Sequence, residues 1–279
     1  MKRRNLYKFC YHVLRGAVSQ VFRPARRLQR NENVVDDTYS FNYTRETNND
    51  FMFKRQDVFI NGTRAVYPVI EYKKIILQKF AGKLSVFYPE SILELGSGRG
   101  FNVLTLAVLL PQVKRLRGIE LSENGVNQAK ANFKNPPTNI LCRLSGLSKT
   151  EVLKRLQGRD IDFIRGSILE LPFKDNEFDA MFSNSVIEQI PRDCGRVFTE
   201  SFRVAKKASI FNEPFYEAQR FNIFKLMYLR NIDYFRASYD DVSESGWNIY
   251  QFEIPEIQKF VFSTGILTCI KNIASLDCE

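Results

Sequence analysis

Short hydrophobic runs separated by segments of helical length mark the chain from about residue 91 to residue 213. Buried strands are predicted for the runs SILEL, LRGIEL, FDAMFS and ASIFN, which have the required length and apolar character. In the segments between them, apolar residues recur every three or four positions, which is typical of helices. Strands that alternate with helices predict parallel βαβ units and a doubly wound α/β sheet with helices on both faces.

The same pattern gives the bounds of the individual elements. Strands are predicted at 91–96, 115–121, 161–166, 178–183 and 208–213, and helices at 101–111, 123–133 and 193–205. Two further helices are predicted from apolar spacing in YPVIEYKKIILQKFAGKL, before the first strand, and in KTEVLKRLQG. The second of these lies in an insert at 134–160, which interrupts the alternation.

The first thirty residues are basic and amphipathic. They hold nine Lys or Arg residues and no acid, and their apolar positions recur at helical spacing until Pro24. Three interpretations remain open: an interfacial helix on an anionic membrane surface, a helix packed on the domain, and an organelle transit peptide. Lys8 and Arg15 interrupt the apolar stretch that a secretory signal would need. The expected location is therefore cytoplasmic, peripheral at a membrane, or in an organelle.

Composition narrows the function classes. The chain of 279 residues is 44% hydrophobic, yet no apolar run reaches the roughly 18 residues of a membrane-spanning helix. The five cysteines include no C-x-x-C pair, which favours reduced thiols over disulfides or a zinc site. The single histidine, His12, excludes a histidine-ligated centre, and no metal is expected. The net charge of +10 lies mostly in residues 1–30, so the nearly neutral body predicts no DNA partner.

Three regions outside the alternating pattern are expected to recognise a substrate. Residues 31–66 are polar with interspersed aromatics and little periodicity, as in a lid over a site or in a linker. The other two are inserts at 134–160 and 215–250, of which the second is rich in aromatic residues. The expected organisation is therefore an N-terminal extension at 1–66 and a main domain at 67–279.

Three glycines follow the first predicted strand, in the sequence ILELGSGRGFN. A phosphate-binding P-loop would need a lysine after the glycines, and a dinucleotide fingerprint would need glycine where Phe101 stands. Glu94, within the strand, would repel a pyrophosphate but suits a ligand with an amino group. The tight turn also presents backbone N–H groups and a helix N-terminus to a carboxylate. A ligand with an ammonium, a carboxylate and a nucleoside but no phosphate is S-adenosylmethionine.

The segment ILELGSGRG resembles the first motif of class I S-adenosylmethionine-dependent methyltransferases. GIEL at 118–121 resembles the family's second strand, and residues 161–190 resemble the third and fourth strands of its small-molecule branch, the methyltransferase type 11 kind. FRVAKKASIFNEP resembles the following helix and the fifth strand. The resemblance covers about residues 91–214. It implies a mostly parallel, seven-stranded Rossmann-like sheet with an N-terminal helical or irregular extension.

The resemblance also implies which residues bind the cofactor. Glu120 would accept both ribose hydroxyl protons, and Ser167 or the backbone at Ile168 would meet the adenine amino group. Ser167 stands where the family often has aspartate. The expected cofactor-binding residues are Glu94, Gly96, Ser97, Gly98, Gly100, Glu120, Leu121, Ser167, Ile168 and Asn184. The product of the cofactor would be S-adenosylhomocysteine.

Methyl transfer from a sulfonium is an in-line displacement, in which the protein aligns the nucleophile and excludes water. An aliphatic hydroxyl acceptor would also need a base. The candidates are three carboxylates near the carboxyl ends of the fourth and fifth strands: Glu188, Asp193 and Glu213. Glu188 is preferred for catalysis, although a helix N-terminal acid stabilised by the helix dipole explains that position equally well.

The expected function is methyl transfer to a small-molecule, lipid-linked or sugar acceptor. The aromatic insert and the basic leader motivate an amphiphilic acceptor. Two alternatives remain open. One is a non-catalytic S-adenosylmethionine-binding partner or regulatory protein, because Glu188-Gln189 replaces the family's frequent Glu-His pair. The other is an RNA methyltransferase whose residues 1–30 contact phosphates.

Overall fold

The structure, a computed structural model, describes residues 10, 11, 14, 30–219, 222–234 and 237–271. From residue 30 onward its helices are α1 (Glu32–Arg45), α2 (Asn48–Phe53), α3 (Val69–Ser85), α4 (Phe101–Leu109), α5 (Glu123–Lys134), α6 (Thr138–Ser145), α7 (Lys149–Leu156), α8 (Cys194–Val204), α9 (Tyr216–Gln219), α10 (Ile223–Asn231) and α11 (Tyr239–Glu244). Its strands are β1 (Arg55–Ile60), β2 (Thr63–Pro68), β3 (Ser91–Leu95), β4 (Arg115–Glu120), β5 (Asp160–Arg165), β6 (Phe178–Asn184), β7 (Ala205–Glu213), β8 (Asn248–Glu253), β9 (Ile257–Lys259) and β10 (Gly265–Ile270).

A seven-stranded sheet forms the centre of the fold, with the strand order β5-β4-β3-β6-β7-β10-β8. β3 to β7 run parallel, whereas β10 pairs antiparallel with β7 and with β8. The predicted doubly wound, mostly parallel sheet is confirmed, and the five strands expected between residues 91 and 213 are present. The strand order reverses between β3 and β6. A crevice at the carboxyl ends of these two strands is where such sheets bind ligands.

Helices cover both faces of this sheet. On one face α3 and α4 pack with α6 and α7, and Phe80 meets Phe182 edge-on with ring centroids 5.4 Å apart. On the other face α8 packs on β7, where Phe198 and Phe211 lie 5.3 Å apart. β6 and β7 are therefore buried on both sides, which explains their nearly continuous apolar sequence.

A second sheet of three strands, in the order β2-β1-β9, joins the N-terminal part of the chain to residues 257–259. β1 and β2 form a hairpin whose turn, Asn61-Gly62, has positive φ at both positions, as a two-residue hairpin turn favours. β9 pairs with the other edge of β1 and places Lys259 opposite Val58. The sequence pattern predicted none of these three strands, and β2 crosses the domain boundary expected between residues 66 and 67.

Residues 31–53 form α1 and α2, within the extension that was expected to be helical or irregular. The side chain of Asn31 caps α1, and Thr47 takes part in a capping box at the start of α2. No residue of α1 is fully buried. The helix docks on α5 through polar contacts, such as the 2.5 Å hydrogen bond from Gln128 Nε2 to the Tyr43 carbonyl. Hydrophobic periodicity therefore could not reveal it.

The amphipathic helix expected in the basic leader lies outside the described residues, apart from residues 10, 11 and 14. In the described part of the chain, no helix combines the length and the apolar character needed to cross a membrane. The insert at 134–160 contains α6 and α7, and its predicted helix corresponds to α7. α6 packs on α3 and α4, so the insert extends one helical layer of the fold.

Candidate functional site

A cavity of about 470 Å³ lies at the carboxyl ends of β3, β4 and β6. The loops that follow these strands form one part of its wall. α1 and α3 supply further parts, and Lys259 enters from β9. The cavity therefore occupies the point where the strand order reverses, which is the usual ligand position in an open α/β sheet.

The loop between β3 and α4 contains three glycines with positive φ: 66° at Gly96, 52° at Gly98 and 78° at Gly100. Residues with a side chain rarely adopt this conformation, so glycine is favoured at each position. Space is also limited, because a methyl group added at Gly96 would lie 2.6 Å from Val186 Cγ2. α4 begins directly after Gly100, and its N-terminal residue Phe101 lines the cavity. The cavity thus has the helix N-terminus that favours a negative ligand group.

Glu120 is the last residue of β4, and its carboxylate holds two loops together. One oxygen accepts from Gly98 N–H at 2.8 Å, and the other accepts from Ser122 N–H at 3.1 Å. Burial raises the pKa of Glu120 despite these two hydrogen bonds. Leu121 lines the cavity beside it. The motif resemblance implies that Glu120 holds the ribose, and in the structure its carboxylate fixes the glycine loop.

Glu94 is fully buried and lies behind the cavity wall rather than in it. It accepts from Asn102 Nδ2 at 2.6 Å, and its Oε2 has no hydrogen-bond partner among the described residues. Asn102 in turn accepts from Lys73 Nζ at 3.1 Å. Burial raises the pKa of Glu94 and lowers that of Lys73, while the attraction between the two charges opposes both shifts. Because Asn102 and Lys73 line the cavity, Glu94 acts on it through them.

Most of the predicted cofactor-binding residues belong to one wall of the cavity. Those in the wall are Gly96, Ser97, Gly98, Glu120, Leu121, Ile168 and Asn184. Glu94, Gly100 and Ser167 are not among the lining residues. The Ser167 hydroxyl donates to the Glu32 carboxylate and accepts from Leu169 N–H at 2.9 Å. Ser167 thus anchors α1 to the loop after β5.

The three candidate bases are placed differently. Asp193 is exposed, precedes α8 and does not line the cavity. Glu213 is fully buried and accepts from Ser183 Oγ at 2.8 Å and from Val186 N–H at 3.1 Å. Glu188 lines the cavity, is 4% exposed and leaves its Oε2 without a partner among the described residues. Glu213 therefore orders the loop after β6, and Glu188 is the carboxylate that this loop presents to the cavity.

Residues 93–211 match a family model described as a methyltransferase domain. These residues form a class I methyltransferase domain. The match confirms the family that the sequence motifs indicated and the assignment of the chain as a methyltransferase. It also confirms S-adenosylmethionine as the cofactor of this enzyme.

Solved structures share the fold of this methyltransferase at low sequence identity. Magnesium protoporphyrin IX methyltransferase from Synechocystis PCC 6803, with bound SAH, is 13% identical with a TM-score of 0.56; the match covers 86% of this chain and 99% of that chain. The cyclase SpnF is 15% identical with a TM-score of 0.58, and the match covers 86% of this chain and 95% of that chain. At these identities the similarity shows the fold alone.

The methyltransferase cavity also contains residues that no sequence motif indicated. Tyr39 and Tyr43 line it from α1, and a methyl group at Gly98 would lie 3.0 Å from the Tyr43 hydroxyl. Tyr72 lines it from α3, and Lys259 lines it from β9. The four-residue spacing of Tyr39 and Tyr43 was the feature of the sequence that could have indicated their common position in the cavity. No local pattern distinguishes Lys259, because its position depends on strand pairing between distant parts of the chain.

The inserts at 134–160 and 215–250, which are expected on the substrate side, contribute no described residue to the wall of this cavity. The first insert packs its apolar residues into the core beside α3 and α4 instead. In the second insert, the Tyr234 ring lies 4.4 Å from the Arg30 guanidinium. Arg30 also donates to Gln189 Oε1 at 2.6 Å. The aromatic insert therefore supports the cavity from behind its wall.

Glu120→Gln is expected to weaken S-adenosylmethionine binding by about 10- to 100-fold. A carboxamide offers one oxygen to the N–H groups of Gly98 and Ser122, and its own NH₂ group faces the second donor. Isothermal titration calorimetry measures the change. The control is Glu123→Gln, three positions along the chain, whose side chain is 69% exposed and lies outside the cavity wall. Equal affinities in the two variants would contradict this role of Glu120.

Stability is expected to fall as pH rises from about 4.5 to about 8, partly because of Glu213. Burial, reinforced by the Glu188 charge, raises the pKa of Glu213 from 4.5 to about 8. In this interval the native carboxyl stays protonated while the unfolded one ionises, so rising pH favours unfolding. Glu213→Gln should reduce this fall in the free energy of unfolding, measured by urea titration at each pH. Glu123→Gln should leave this pH dependence unchanged. If the free energy of unfolding falls equally with pH in both variants, Glu213 is not its cause.

Proposed function

We propose that this methyltransferase transfers the methyl group of S-adenosylmethionine to a small-molecule, lipid-linked or sugar acceptor. The supporting observation is one continuous cavity that extends from the glycine loop at Gly96 and Gly98 to side chains around Glu188 and Tyr72. Its volume of about 470 Å³ is in the range of small-molecule sites. Its wall contains both aromatic rings and charged groups, which suits an amphiphilic acceptor.

The residues at the glycine-loop end of the cavity fit the proposed cofactor. The N-terminus of α4 and the Lys73 ammonium suit a carboxylate, and the buried Glu94 carboxyl beneath them suits an ammonium. Glu120 retains oxygen lone pairs that suit sugar hydroxyls, and Ile168 offers apolar surface for a purine ring. When bound, this cofactor supplies an electrophilic methyl group on a positively charged sulfur.

The remaining cavity residues are proposed to position the acceptor and to receive its proton. Burial raises the pKa of Glu188, so that this carboxylate is a stronger base than an exposed glutamate. The positive charges of Lys259 and Arg30 oppose the shift and favour the ionised form. Tyr39 and Tyr43 extend from α1 along the same cavity, where their rings would exclude water from the reacting groups.

We also propose that residues 31–66 cover the site and that residues 67–279 form the methyltransferase domain. Polar contacts that attach α1 on two sides of the cavity support the proposal that this segment covers the site. Glu32 accepts from Ser167 on one side, and the Ser40 and Ser122 hydroxyls lie 2.8 Å apart on the other. Such contacts exchange readily with water, so α1 is suited to release and rebind as ligands enter and leave.

The proposal is tested by incubating the enzyme with S-adenosylmethionine that carries an isotopically labelled methyl group, together with separate lipid, sugar, small-molecule and RNA extracts. Mass spectrometry is expected to find label in one of the first three extracts. Label found in RNA alone would favour an RNA methyltransferase. Cofactor binding by calorimetry without label in any extract would favour a non-catalytic S-adenosylmethionine-binding protein. Either result would overturn the proposed function.

A further inference from the structure

Lys259 brings a positive charge to the cavity wall from β9, a strand that contains none of the predicted cofactor-binding residues. Its Nζ donates to Ser185 Oγ at 3.3 Å and lies 5.9 Å from the centre of the Tyr72 ring. No carboxylate oxygen of the described residues lies within 4.0 Å of this ammonium. Lysine carries three N–H donors, and the Ser185 hydroxyl engages one. The ammonium is therefore able to donate to a ligand in the cavity.

Glu188 supplies the complementary negative group. Its Oε1 accepts from Gln189 Nε2 at 3.1 Å, whereas its Oε2 has no hydrogen-bond partner among the described residues. A buried carboxylate oxygen without a partner is costly, which points to a missing donor. The Glu188 charge raises the pKa of Lys259, although burial acts in the opposite direction. The two groups are thus close enough to interact electrostatically but do not form a direct ion pair.

The backbone around Ser185 holds both groups in place. Ser185 has φ of +60°, a conformation that residues with a side chain adopt rarely and that costs energy. Its N–H donates to the Asn212 carbonyl at 3.0 Å, and the 3₁₀ turn with Glu188 begins two residues later. One strained turn therefore sets the Ser185 hydroxyl that meets Lys259 and leads directly to Glu188. Strain of this kind is concentrated at functional sites.

We propose that the nucleophile of the methyl acceptor is a hydroxyl oxygen seated between Lys259 Nζ and Glu188 Oε2. This inference rests on the proposed function and specifies its acceptor atom. Lys259 donates a hydrogen bond to the hydroxyl oxygen and stabilises the negative charge that develops there, while Glu188 accepts the hydroxyl proton. The oxygen forms its bond to the methyl carbon as the carbon–sulfur bond breaks, and the electron pair of that bond remains on sulfur. The products are a methyl ether, a neutral thioether and a protonated Glu188.

Other nucleophiles fit this pair of groups less well. A neutral amine has one lone pair, for which the Lys259 ammonium would compete with the methyl group. A carboxylate brings no proton for Glu188 and is repelled by its charge. A thiol sulfur accepts hydrogen bonds weakly. A hydroxyl has one proton to give and a second lone pair to accept the Lys259 hydrogen bond, so it uses both groups at once.

The test uses the full chain, methyl-labelled S-adenosylmethionine and the extract in which label is found. Lys259→Met is expected to lower turnover by about 100- to 1000-fold, as the loss of one such donor does, with calorimetric cofactor affinity unchanged. Lys259→Arg should restore part of the rate, because it keeps the charge and the donor. The acidic limb of the rate–pH profile should move to higher pH in Lys259→Met, since the Glu188 carboxylate loses a neighbouring positive charge.

Lys225→Met is the matched control. Lys225 Nζ donates to Ser263 Oγ at 2.8 Å and lies 5.7 Å from the Phe59 ring, in surroundings like those of Lys259, but it does not line the cavity. The turnover of Lys225→Met should equal that of the original enzyme. A methylated nitrogen, carbon, sulfur or carboxylate in the labelled product would overturn the hydroxyl proposal alone, as would undiminished turnover in Lys259→Met. Cofactor binding without any labelled product would overturn the proposed function and this inference together.

Discussion

Gly96→Ala is expected to weaken S-adenosylmethionine binding by about 100-fold or more and to lower the free energy of unfolding by about 3 kcal/mol. Two effects act together. Gly96 has φ of +66°, where an L side chain costs roughly 1–2 kcal/mol, and the added methyl group would lie 2.6 Å from Val186 Cγ2 and 3.0 Å from its Cβ. The loop must move away from β6 to relieve the overlap. Such a movement displaces the backbone that is proposed to hold the amino-acid end of the cofactor.

A double-mutant cycle separates these two effects. Val186→Ala removes the two γ-carbons that the new methyl group would overlap and leaves Cβ, so the pair Gly96→Ala with Val186→Ala should recover most of the loss caused by crowding. The loss that remains in the double variant measures the cost of the backbone conformation at position 96. The control is Gly82→Ala, in the last turn of α3, where a methyl group meets no atom within 4 Å. It is expected to leave binding unchanged and to stabilise the protein by about 0.5–1 kcal/mol.

Calorimetry with S-adenosylmethionine and urea unfolding at one fixed pH measure all four variants of this series. If Gly96→Ala binds the cofactor as well as Gly82→Ala does, the glycine loop does not carry the cofactor site. If Gly96→Ala loses stability but keeps its affinity after correction for the unfolded fraction, the loop is a structural turn only.

The central strands could be predicted from sequence because their surroundings restrict which residues they contain. β6 is covered by helices on both faces, so it appears in the sequence as a short apolar run. The glycine loop was equally visible, because positive φ at Gly96, Gly98 and Gly100 favours glycine at alternate positions. In both cases a local property of the chain reflects a constraint of the fold.

The helix α1 is held in place by a different kind of contact and was not predicted from the sequence. It attaches to the methyltransferase domain through polar side chains, such as Ser40 with Ser122 and Glu32 with Ser167, and it buries no apolar stripe. Hydrogen bonds between side chains impose no periodic pattern on the sequence. The α1 side of the cavity therefore became visible only in the structure.

Lys259 shows why the acceptor side of the cavity was harder to predict than the cofactor side. The glycine loop and Glu120 belong to neighbouring elements of one βαβ unit, so a short stretch of sequence contains both. Lys259 reaches the cavity because β9 pairs with β1, which lies far away in the sequence. Local patterns were therefore enough to predict cofactor-binding residues, whereas the proposed acceptor site depends on long-range strand pairing.

Glu188→Gln is expected to lower turnover by about 100- to 10,000-fold, the usual contribution of a general base, while cofactor affinity stays the same. Glutamine has nearly the same shape, and its oxygen still accepts from Gln189 Nε2. The substitution therefore removes the proton acceptor and leaves the wall of the cavity intact. Turnover is measured with labelled cofactor in the extract that yields product, and the control is Asp193→Asn, an exposed acid on the following segment that does not line the cavity.

Stability distinguishes this role of Glu188 from a structural one. Burial raises the pKa of Glu188, so in its ionised form the carboxylate destabilises the native state relative to an exposed glutamate. Glu188→Gln removes that cost, and the melting temperature near pH 8 should stay the same or rise while turnover falls. A glutamate that served only to hold the 3₁₀ turn would show the reverse, a lower melting temperature with turnover changed only in proportion to the folded fraction. If Glu188→Gln retains its turnover, another group or water accepts the proton instead of Glu188.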